Sequence, residues 1–275
     1  MATASSSSSS YDFSKTIYSK IDFTRLKNIL PSSPKIVAIN PSSDLIREDD
    51  TDDSKFYNIP RFVHHIDDRA RYVLSQFYTY VVKQTKETMI LDLCSSWTSH
   101  LPENIVGKCI QIEIKTTRIY FCSVGLVHGL GMNESELKYN PSLSNGYTVQ
   151  NLNTNPSLTQ FPSNSFDSVL CSVSVDYLIY PLEVFNEIGR ILKPSGQFIT
   201  SFSNRCFPTK VIGRWMKMNE QQRVEWVANY FLLTNTYFDP KTVKAYSFFD
   251  NMFLPARYGE FRDPMYIVLG QKKTA

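Results

Sequence analysis

The sequence lacks the closely spaced cysteines that bind structural zinc or form redox pairs. Its cysteines are odd in number and scattered, none belongs to a C-x-x-C pair, and none has a histidine nearby at zinc spacing. We therefore expect reduced thiols in an intracellular compartment and no metal site. The five residues concerned are Cys94, Cys109, Cys122, Cys171 and Cys206.

Long apolar runs and secretory signals are also missing. No stretch approaches the ~18 uninterrupted apolar residues of a membrane-spanning helix, and no charged start precedes an apolar core. The Ser-rich start "MATASSSSSS" resembles an organelle transit peptide, but Asp12 comes early and the first arginine is Arg25, whereas transit peptides are Arg-rich and acid-poor. The sequence predicts a cytoplasmic protein with no membrane partner, and organelle targeting remains the alternative.

A strong excess of either charge is absent as well. The chain has 29 basic and 26 acidic residues, a net charge of +3, so no polybasic surface indicates a nucleic-acid partner. A small molecule is the partner that this balance favours, and the oligomeric state stays open.

The chain is rich enough in apolar residues to form a core. Of its 275 residues 42% are hydrophobic, which is typical of a globular protein. The low-complexity residues 1–10 are predicted to be disordered, and the acidic run 47–55 to be a solvated linker. We therefore predict a weakly ordered extension over 1–55 and a compact domain over 56–275.

Helical and strand patterns alternate along the predicted domain. "DDRARYVLSQFYTYVVKQ" has the apolar residues Ala70, Val73, Leu74, Phe77, Tyr80 and Val81 at helical spacing, and "PLEVFNEIGRILK" is a second amphipathic helix. Short apolar strands are predicted at "TMILDL", "GLVHGLG", "YTVQNL", "SFDSVLCSVSV", "QFITSFS" and "PMYIVLGQK", with a helix at "RWMKMNEQQRVEWVANYF" before the last. This alternation predicts a doubly wound α/β fold with a mainly parallel sheet.

One spacing departs from that pattern. Asp92 and Gly131 end the first two predicted strands 39 positions apart, whereas the corresponding residues of a nucleotide-binding βαβ unit lie ~20 apart. The segment 108–123 accounts for most of the difference. It is predicted to be an inserted β-hairpin, because "IQIEI" alternates and "KTT" suits a turn, or an error in the gene model such as a retained intron.

The stretch "FPSNSFDSVLCSVSVDYLIYPLEVFNEIGRILKPSGQFITSFS", Phe161 to Ser203, carries a family resemblance. It resembles the class I S-adenosylmethionine-dependent methyltransferases, in particular the type 11, small-molecule branch that includes quinone-biosynthesis enzymes. More narrowly, "RFVHHIDDRA", "DLCSSWTSHLP", "GLGMN" and "SFSNRCFPTK" look like an uncharacterised subgroup. The resemblance implies a Rossmann-like seven-stranded sheet with an antiparallel last strand, S-adenosylmethionine as cofactor, and methyl transfer to a small molecule.

The cofactor loop of this family is only partly matched. Asp92 stands where the family has an acid at the end of strand one, but Cys94, Ser96 and Thr98 replace the glycines that let the backbone approach the cofactor. At the end of strand two the family has an acid that binds the ribose. This sequence has Gly131 at that position. The cofactor-binding residues implied by the resemblance are Asp92, Cys94, Ser95, Ser96, Asn133 and Asn151.

The acceptor side is assigned by position and chemistry. Asp176 and Tyr177 follow strand four, where the family faces the methyl group, and His65 lies in an N-terminal segment that covers the site in such folds. We predict these three as catalytic residues, because a carboxylate or imidazole can deprotonate an acceptor. The predicted substrate residues are His64, Asn204 and Arg205, and each also has an ordinary structural interpretation as a cap, turn or ion-pair residue.

Two other functions remain open on the sequence alone. The missing glycines and the missing strand-two acid favour a catalytically inactive methyltransferase fold that binds or regulates a partner. A nicotinamide-dependent oxidoreductase is less favoured, because no G-x-G-x-x-G follows any predicted strand.

Overall fold

The fold is described from a computed structural model. It describes residues 21–102, 105, 109–114, 117–122, 125–248 and 263–274, with the backbone alone in 109–114 and 117–122. The predicted disorder of residues 1–10 lies outside this range. In the part of the chain described, no helix is long and apolar enough to cross a membrane.

A seven-stranded sheet forms the centre of the molecule. Its strand order is β5-β4-β1-β6-β7-β9-β8, and all neighbouring pairs are parallel except those made by β9, which runs antiparallel to β7 and β8. The predicted fold class, a doubly wound, mostly parallel sheet with an antiparallel last strand, is confirmed. The strands are β1 (Met89–Leu93), β4 (Leu126–Gly131), β5 (Tyr147–Val149), β6 (Phe166–Ser172), β7 (Leu192–Phe202), β8 (Lys244–Ser247) and β9 (Tyr266–Gln271).

Helices cover both faces of this sheet. Successive strand residues point to opposite faces, so Ile90 packs in one apolar cluster with helix α2 and Leu91 packs in the other with α4 and α5. The same split separates Leu170 from Val169 in β6. The near-continuous burial of β6 follows, because both of its faces are covered. The helices are α1 (Asp53–Phe56), α2 (Asp68–Val81), α3 (Glu134–Tyr139), α4 (Pro181–Ile191) and α5 (Glu220–Leu233).

Helix α2 differs from its predicted buried face at one position. Asp67 caps the helix by accepting the backbone N–H of Ala70 at 2.7 Å. Tyr80, predicted to be buried, is 56% exposed, whereas Tyr78 is fully buried and bonds through its hydroxyl with Ser172 at 2.8 Å. The spacing was ambiguous because two tyrosines flank the same helix face.

The segment before Phe56 packs against the domain. Leu45, Arg47 and Asp53 are each less than a tenth exposed, and Gly213 donates its backbone N–H to the carbonyl of Ile46 at 2.7 Å. The predicted boundary at Phe56 is therefore not a boundary in the packing. Two acids of the run 47–55 anchor it to the domain: Asp49 and Asp53 pair with the buried Lys210, which lies far away in sequence, and Asp53 also pairs with Arg47 inside the run.

The predicted insertion forms a small sheet of its own. Strands β2 (Cys109–Ile114) and β3 (Thr117–Cys122) pair antiparallel with each other, apart from the seven-stranded sheet. The hairpin interpretation is thus confirmed for the backbone, and the predicted turn at 115–116 lies outside the described residues. The two flanks of the segment lie close together, since a Cβ on Gly125 would be 3.2 Å from the carbonyl oxygen of Ile105.

Candidate functional site

A cavity of about 310 Å³ lies at the carboxyl ends of β1, β4, β5 and β6. The chain runs from β1 to β4 and β5 on one side, and then continues through β6 and β7 on the other, so the strand order reverses between β1 and β6. Ligands of open α/β sheets bind at such a reversal, outside the carboxyl ends of the strands. The cavity therefore lies where this architecture binds ligands.

The loop after β1 is held together by hydrogen bonds that converge on Asp92. Ser95 and Ser99 each donate a hydroxyl to Oδ2 of Asp92 at 2.6 Å, and Asn140 donates its amide to the carbonyl oxygen of Ser96 and to the Ser99 hydroxyl. Burial raises the pKa of Asp92 to about 6, although the two serine hydrogen bonds oppose that shift. Hydroxyl and amide side chains thus organise a loop whose family counterpart depends on glycines.

The same loop explains the glycine at the end of β4. Ser95 donates its backbone N–H to the carbonyl of Leu130 at 2.7 Å, and a Cβ built on Gly131 would lie 2.1 Å from the carbonyl oxygen of Ser95. No side chain fits there, because the obstacle is backbone. The backbone of the loop after β1 therefore occupies the space that the side chain of a strand-two acid would need.

Gly131→Ala should lower the free energy of unfolding by about 1–3 kcal/mol, the usual cost of overpacking. Gly146 supplies the control, because it has φ +80° but nothing within 4 Å of its missing Cβ. Gly146→Ala should cost only the backbone strain of about 1 kcal/mol. Urea unfolding of both variants measures the difference. Equal stability of Gly131→Ala and the wild type would show that the Ser95 contact is looser than described here.

Two residues beside the strand-order reversal have left-handed backbones. Cys94, directly after β1, has φ +56°, and Val173, directly after β6, has φ +51°. This conformation costs a non-glycine residue of order 1–3 kcal/mol, and it is least favourable for a β-branched side chain such as valine. Cys94 thus has a backbone conformation that favours glycine, and local strain is present on both sides of the strand-order reversal.

Asn133 and Asn151, predicted as cofactor-binding residues, both border the cavity. Asn133 caps α3 and donates its amide to the carbonyls of Tyr57 and Asn58, so its side chain already has structural partners. Asn151 accepts the backbone N–H of Asn153 and makes a 3.4 Å contact with Asp52. Asn151 retains more free hydrogen-bonding capacity than Asn133.

A buried charge network, which the sequence did not reveal, forms another wall. Arg47 contacts both carboxylate oxygens of Asp53 at 2.7 and 2.9 Å, and the fully buried Lys210 lies 3.3 Å from Asp53. Asn153 bridges Asp53 and the carbonyl of Tyr177, with both contacts at 2.8 Å. The network fixes the N-terminal segment against the loop after β7. A lysine in "FPTK" and an acidic run were its only sequence signals.

Three of the four histidines meet at the cavity. His64 stacks on Trp97 with ring centroids 4.5 Å apart, and His65 packs edge-on against Phe207. Burial is the main cause that lowers all three pKa values, to about 4 for His64 and about 3 for His100. The imidazoles of His64 and His100 are therefore neutral at physiological pH, and burial also favours the neutral form of His65, so the three add no positive charge to the cavity.

The two catalytic residues predicted after β6 differ in their position relative to the cavity. Tyr177 borders the cavity and accepts the backbone N–H of Phe207 at 2.8 Å. Asp176 is 3% exposed, lies outside the cavity lining, and has an Oδ1 atom without a hydrogen-bond partner. The predicted role of Asp176 as a base on the acceptor therefore loses its geometric support.

The predicted substrate residues after β7 are also divided. Arg205 borders the cavity, but its Nε donates to Asp263 at 2.7 Å. Asn204 is exposed and lies outside the cavity lining, and it accepts the hydroxyl of Ser203 at 3.4 Å. In the residues for which side chains are described, no group of three or more His, Cys, Asp or Glu could hold a metal ion.

The cavity also contains residues that the sequence analysis did not select. Tyr57, Arg61, Glu136 and Phe207 border it. Glu136 accepts the Ser96 hydroxyl and the backbone N–H of Arg61, both at 2.6 Å, and so ties the β1 loop to the N-terminal segment. The segments around 57 and 207 lie far apart in sequence, and no motif links them.

The comparison with protein families matches part of the chain. Residues 115–200 match the family described as "Methyltransferase domain". This confirms the methyltransferase resemblance over a segment that runs from the hairpin into β7 and covers less than half of the chain. The segment excludes β1 and the Asp92 loop. No curated protein matches the sequence.

Solved structures that match this chain at low identity include methyltransferases. Haemonchus contortus phosphoethanolamine N-methyltransferase 2, in complex with phosphomonomethylethanolamine and S-adenosylhomocysteine, is 12% identical with a TM-score of 0.47 over 75% of this chain and 53% of that one. This chain thus spans about half of the nematode enzyme's length.

Two smaller proteins are covered more fully. A SAM-dependent methyltransferase from Aquifex aeolicus is 15% identical, with a TM-score of 0.44 over 85% of this chain and 99% of that one. Geranyl diphosphate C-methyltransferase from Streptomyces coelicolor, in complex with Mg²⁺, geranyl diphosphate and S-adenosyl-L-homocysteine, is 11% identical, with a TM-score of 0.46 over 80% and 96%. The fold assignment depends on the strand order above and not on these scores.

Proposed function

We propose that this protein transfers a methyl group from S-adenosylmethionine to a small molecule. The observation that carries the proposal is the cavity at the strand-order reversal of a seven-stranded sheet, with an acid ending the first strand at its floor. The matched methyltransferase segment supplies β4, β5 and β6, which border the same cavity. The solved methyltransferases that bind S-adenosylhomocysteine agree with this cofactor.

The residues present fit such a cofactor, although the loop glycines and the strand-two acid of the family are replaced. Cys94 keeps the left-handed backbone of a glycine, and the Ser95 and Ser96 loop offers small polar groups beside Asp92. Asn151 has amide capacity left for an adenine edge. The ribose must be held without an acid on β4, because the Ser95 carbonyl fills that place. Asp92, Ser95, Ser96 and Asn151 are the proposed cofactor residues, with Cys94 supplying the turn.

When bound, the sulfonium group supplies an electrophilic methyl group for direct displacement. The protein's tasks are then to align the acceptor and to exclude water. Burial raises the pKa of Tyr177, so its hydroxyl stays protonated and can donate a hydrogen bond to the acceptor while it accepts from Phe207. His65, held neutral by burial and by the nearby charge of Arg61, is the proposed proton acceptor.

Calorimetric titration of the full chain with S-adenosylmethionine tests the cofactor. We expect saturable binding to the wild type and affinity at least ~10-fold weaker for Asp92→Ala, since a lost charge-assisted hydrogen bond costs about 1.5–3 kcal/mol. Glu183→Gln removes an exposed carboxylate outside the cavity lining and should bind as the wild type does. A folded wild type that binds no cofactor at millimolar concentration would favour the binding or regulatory alternative, and binding of NADH instead would favour the oxidoreductase.

A further inference from the structure

We propose that Arg61 binds an anionic group, a carboxylate or a phosphate, of the methyl acceptor; this inference rests on the proposed function. Arg61 borders the cavity, and it was not among the residues that the sequence selected.

Arg61 is the arginine of the cavity wall whose charge has no partner. Arg47 contacts Asp53 at 2.7 Å, and Arg205 contacts Asp263 at 2.7 Å, so both charges are neutralised within the protein. Among the side chains that the structure describes, no carboxylate lies within 4.0 Å of the Arg61 guanidinium. Its Nη2 donates to the carbonyl of Phe56 at 3.0 Å, and its other guanidinium N–H groups have no acceptor in that part of the chain.

Aromatic rings hold this guanidinium in place. Its carbon lies 4.4 Å from the ring centre of Phe56, 5.4 Å from that of Phe207 and 5.7 Å from that of Tyr57. Rings attract the cation through their faces but leave the N–H groups at its edge free. Stacking also restricts the side chain before a ligand arrives, which lowers the entropy lost when the planar guanidinium binds two oxygens.

The three acids of the cavity lining, Asp53, Asp92 and Glu136, are each bonded to protein groups other than the Arg61 guanidinium. Glu136 accepts hydrogen bonds from the backbone N–H of Arg61 and from the Ser96 hydroxyl, so both of its oxygens face protein donors. Asp92 lies at the floor with Ser95 and Ser99 bonded to it. Arg61 and His65, the proposed base, both border the cavity.

The rim beside Arg61 indicates what carries the anionic group. Phe62 is 45% exposed and packs against Trp97 and Tyr139, and Val63 is 55% exposed. An apolar rim next to an unpaired cation favours an acid with an apolar or aromatic body over a bare inorganic ion. Small aromatic compounds that differ only in charge are therefore suitable probes.

The test titrates the full chain with benzoate, phenyl phosphate and benzamide. We expect at least one anion to bind the wild type about tenfold or more tightly than neutral benzamide, since about 1.4 kcal/mol separates charged from neutral hydrogen bonds. Benzoate against phenyl phosphate distinguishes a carboxylate site from a phosphate site. Equal binding of all three probes to the wild type would overturn the proposal.

Variants assign the preference to one residue. Arg61→Gln should abolish the anion preference, and Arg61→Lys should keep a weaker one, because lysine retains the charge but loses the planar pair of donors. Arg214→Gln is the control: Arg214 also stacks on an aromatic ring, Trp226, at 4.4 Å, but it pairs with Asp44 and lies outside the cavity lining. If Arg61→Gln and Arg61→Lys both keep the full preference, the anion binds elsewhere and the proposal fails.

S-adenosylmethionine titration of the same proteins separates this proposal from the proposed function. Anion preference without cofactor binding would retain the Arg61 site and reject methyl transfer. Cofactor binding without anion preference would support the proposed function and reject the Arg61 site. We expect Arg61→Gln to bind the cofactor within about threefold of the wild type, a difference well under 1 kcal/mol.

Discussion

Asp176→Asn should stabilise the protein by about 4 kcal/mol near pH 8 and change its stability little near pH 4. Asp176 is buried, and one carboxylate oxygen has no hydrogen-bond partner. Burial raises its pKa from 3.8 to about 7, against weaker opposing contributions from its own backbone N–H and from Arg223. The substitution keeps the shape of the side chain and removes its ionisation.

The sign follows from the two pKa values. Between about pH 4 and 7 the folded protein keeps the proton of Asp176 and the unfolded chain has lost it. Because the folded state then binds more protons, the stability that this group contributes is complete below the unfolded pKa and is lost as the pH rises through the folded pKa. Asparagine has no such dependence, so the advantage of the variant grows by about 1.4 kcal/mol per pH unit across this window.

Urea unfolding of both proteins at several pH values measures that difference. Glu183→Gln, which removes an exposed carboxylate, is the control and should differ from the wild type by only a small amount. Asp92 also has a raised pKa, but it is common to both proteins and cancels in the comparison. A stability difference between Asp176→Asn and the wild type that is constant from pH 4 to 8 would contradict the buried, unpaired carboxylate.

The second large effect concerns turnover. On an acceptor identified by its gain of a methyl group, His65→Ala should lower kcat by ~10²–10⁴-fold, the usual contribution of a general base. Affinity for S-adenosylmethionine should stay within about threefold of the wild type, because the imidazole acts on the acceptor. With the wild type, kcat should rise with pH as His65 loses its proton, and this rise should be absent in the variant.

His64→Ala is the matched comparison, since the two histidines are adjacent. His64 stacks on Trp97, so its loss should raise the KM for the acceptor more than it lowers kcat. Retention of full kcat by His65→Ala would exclude a base at this position. The acceptor would then be a group that needs no deprotonation by the enzyme, such as a thiolate.

The sequence was informative wherever short-range periodicity determines structure. Strands such as "TMILDL" and "SFDSVLCSVSV" and the helices of "DDRARY" and "PLEVF" were identified because apolar spacing reports which faces are buried. The strand β7 is longer than predicted: it begins at Leu192 and includes the "KPSG" turn, where Ser195 has φ +62°. The proline and glycine of "KPSG" predicted a turn before the strand. In the structure, hydrogen bonds across the sheet include this turn in the strand.

The site was less predictable, because its geometry depends on contacts between distant segments. That Gly131 excludes an acid follows only from the position of the Ser95 carbonyl, and that Arg205 is neutralised follows only from Asp263. The unpaired charge of Arg61 is likewise a property of its surroundings and not of "PRFVHH". Residue type and spacing identify candidates, whereas burial and pairing decide among them.

The buried network of Lys210 has a consequence for the order of assembly during synthesis. Lys210 donates to the carbonyl oxygens of Thr51 and Asp49, and Thr51 is 159 positions earlier in the chain. At ~5–20 residues per second, the ribosome needs roughly 8–30 s to make the intervening chain. For that time Arg47 and Asp53 have each other but lack the lysine that completes their cluster. The lysine that completes this wall is thus synthesised after β1 and β4–β7 but before β8 and β9, so five strands of the sheet precede it and two follow it.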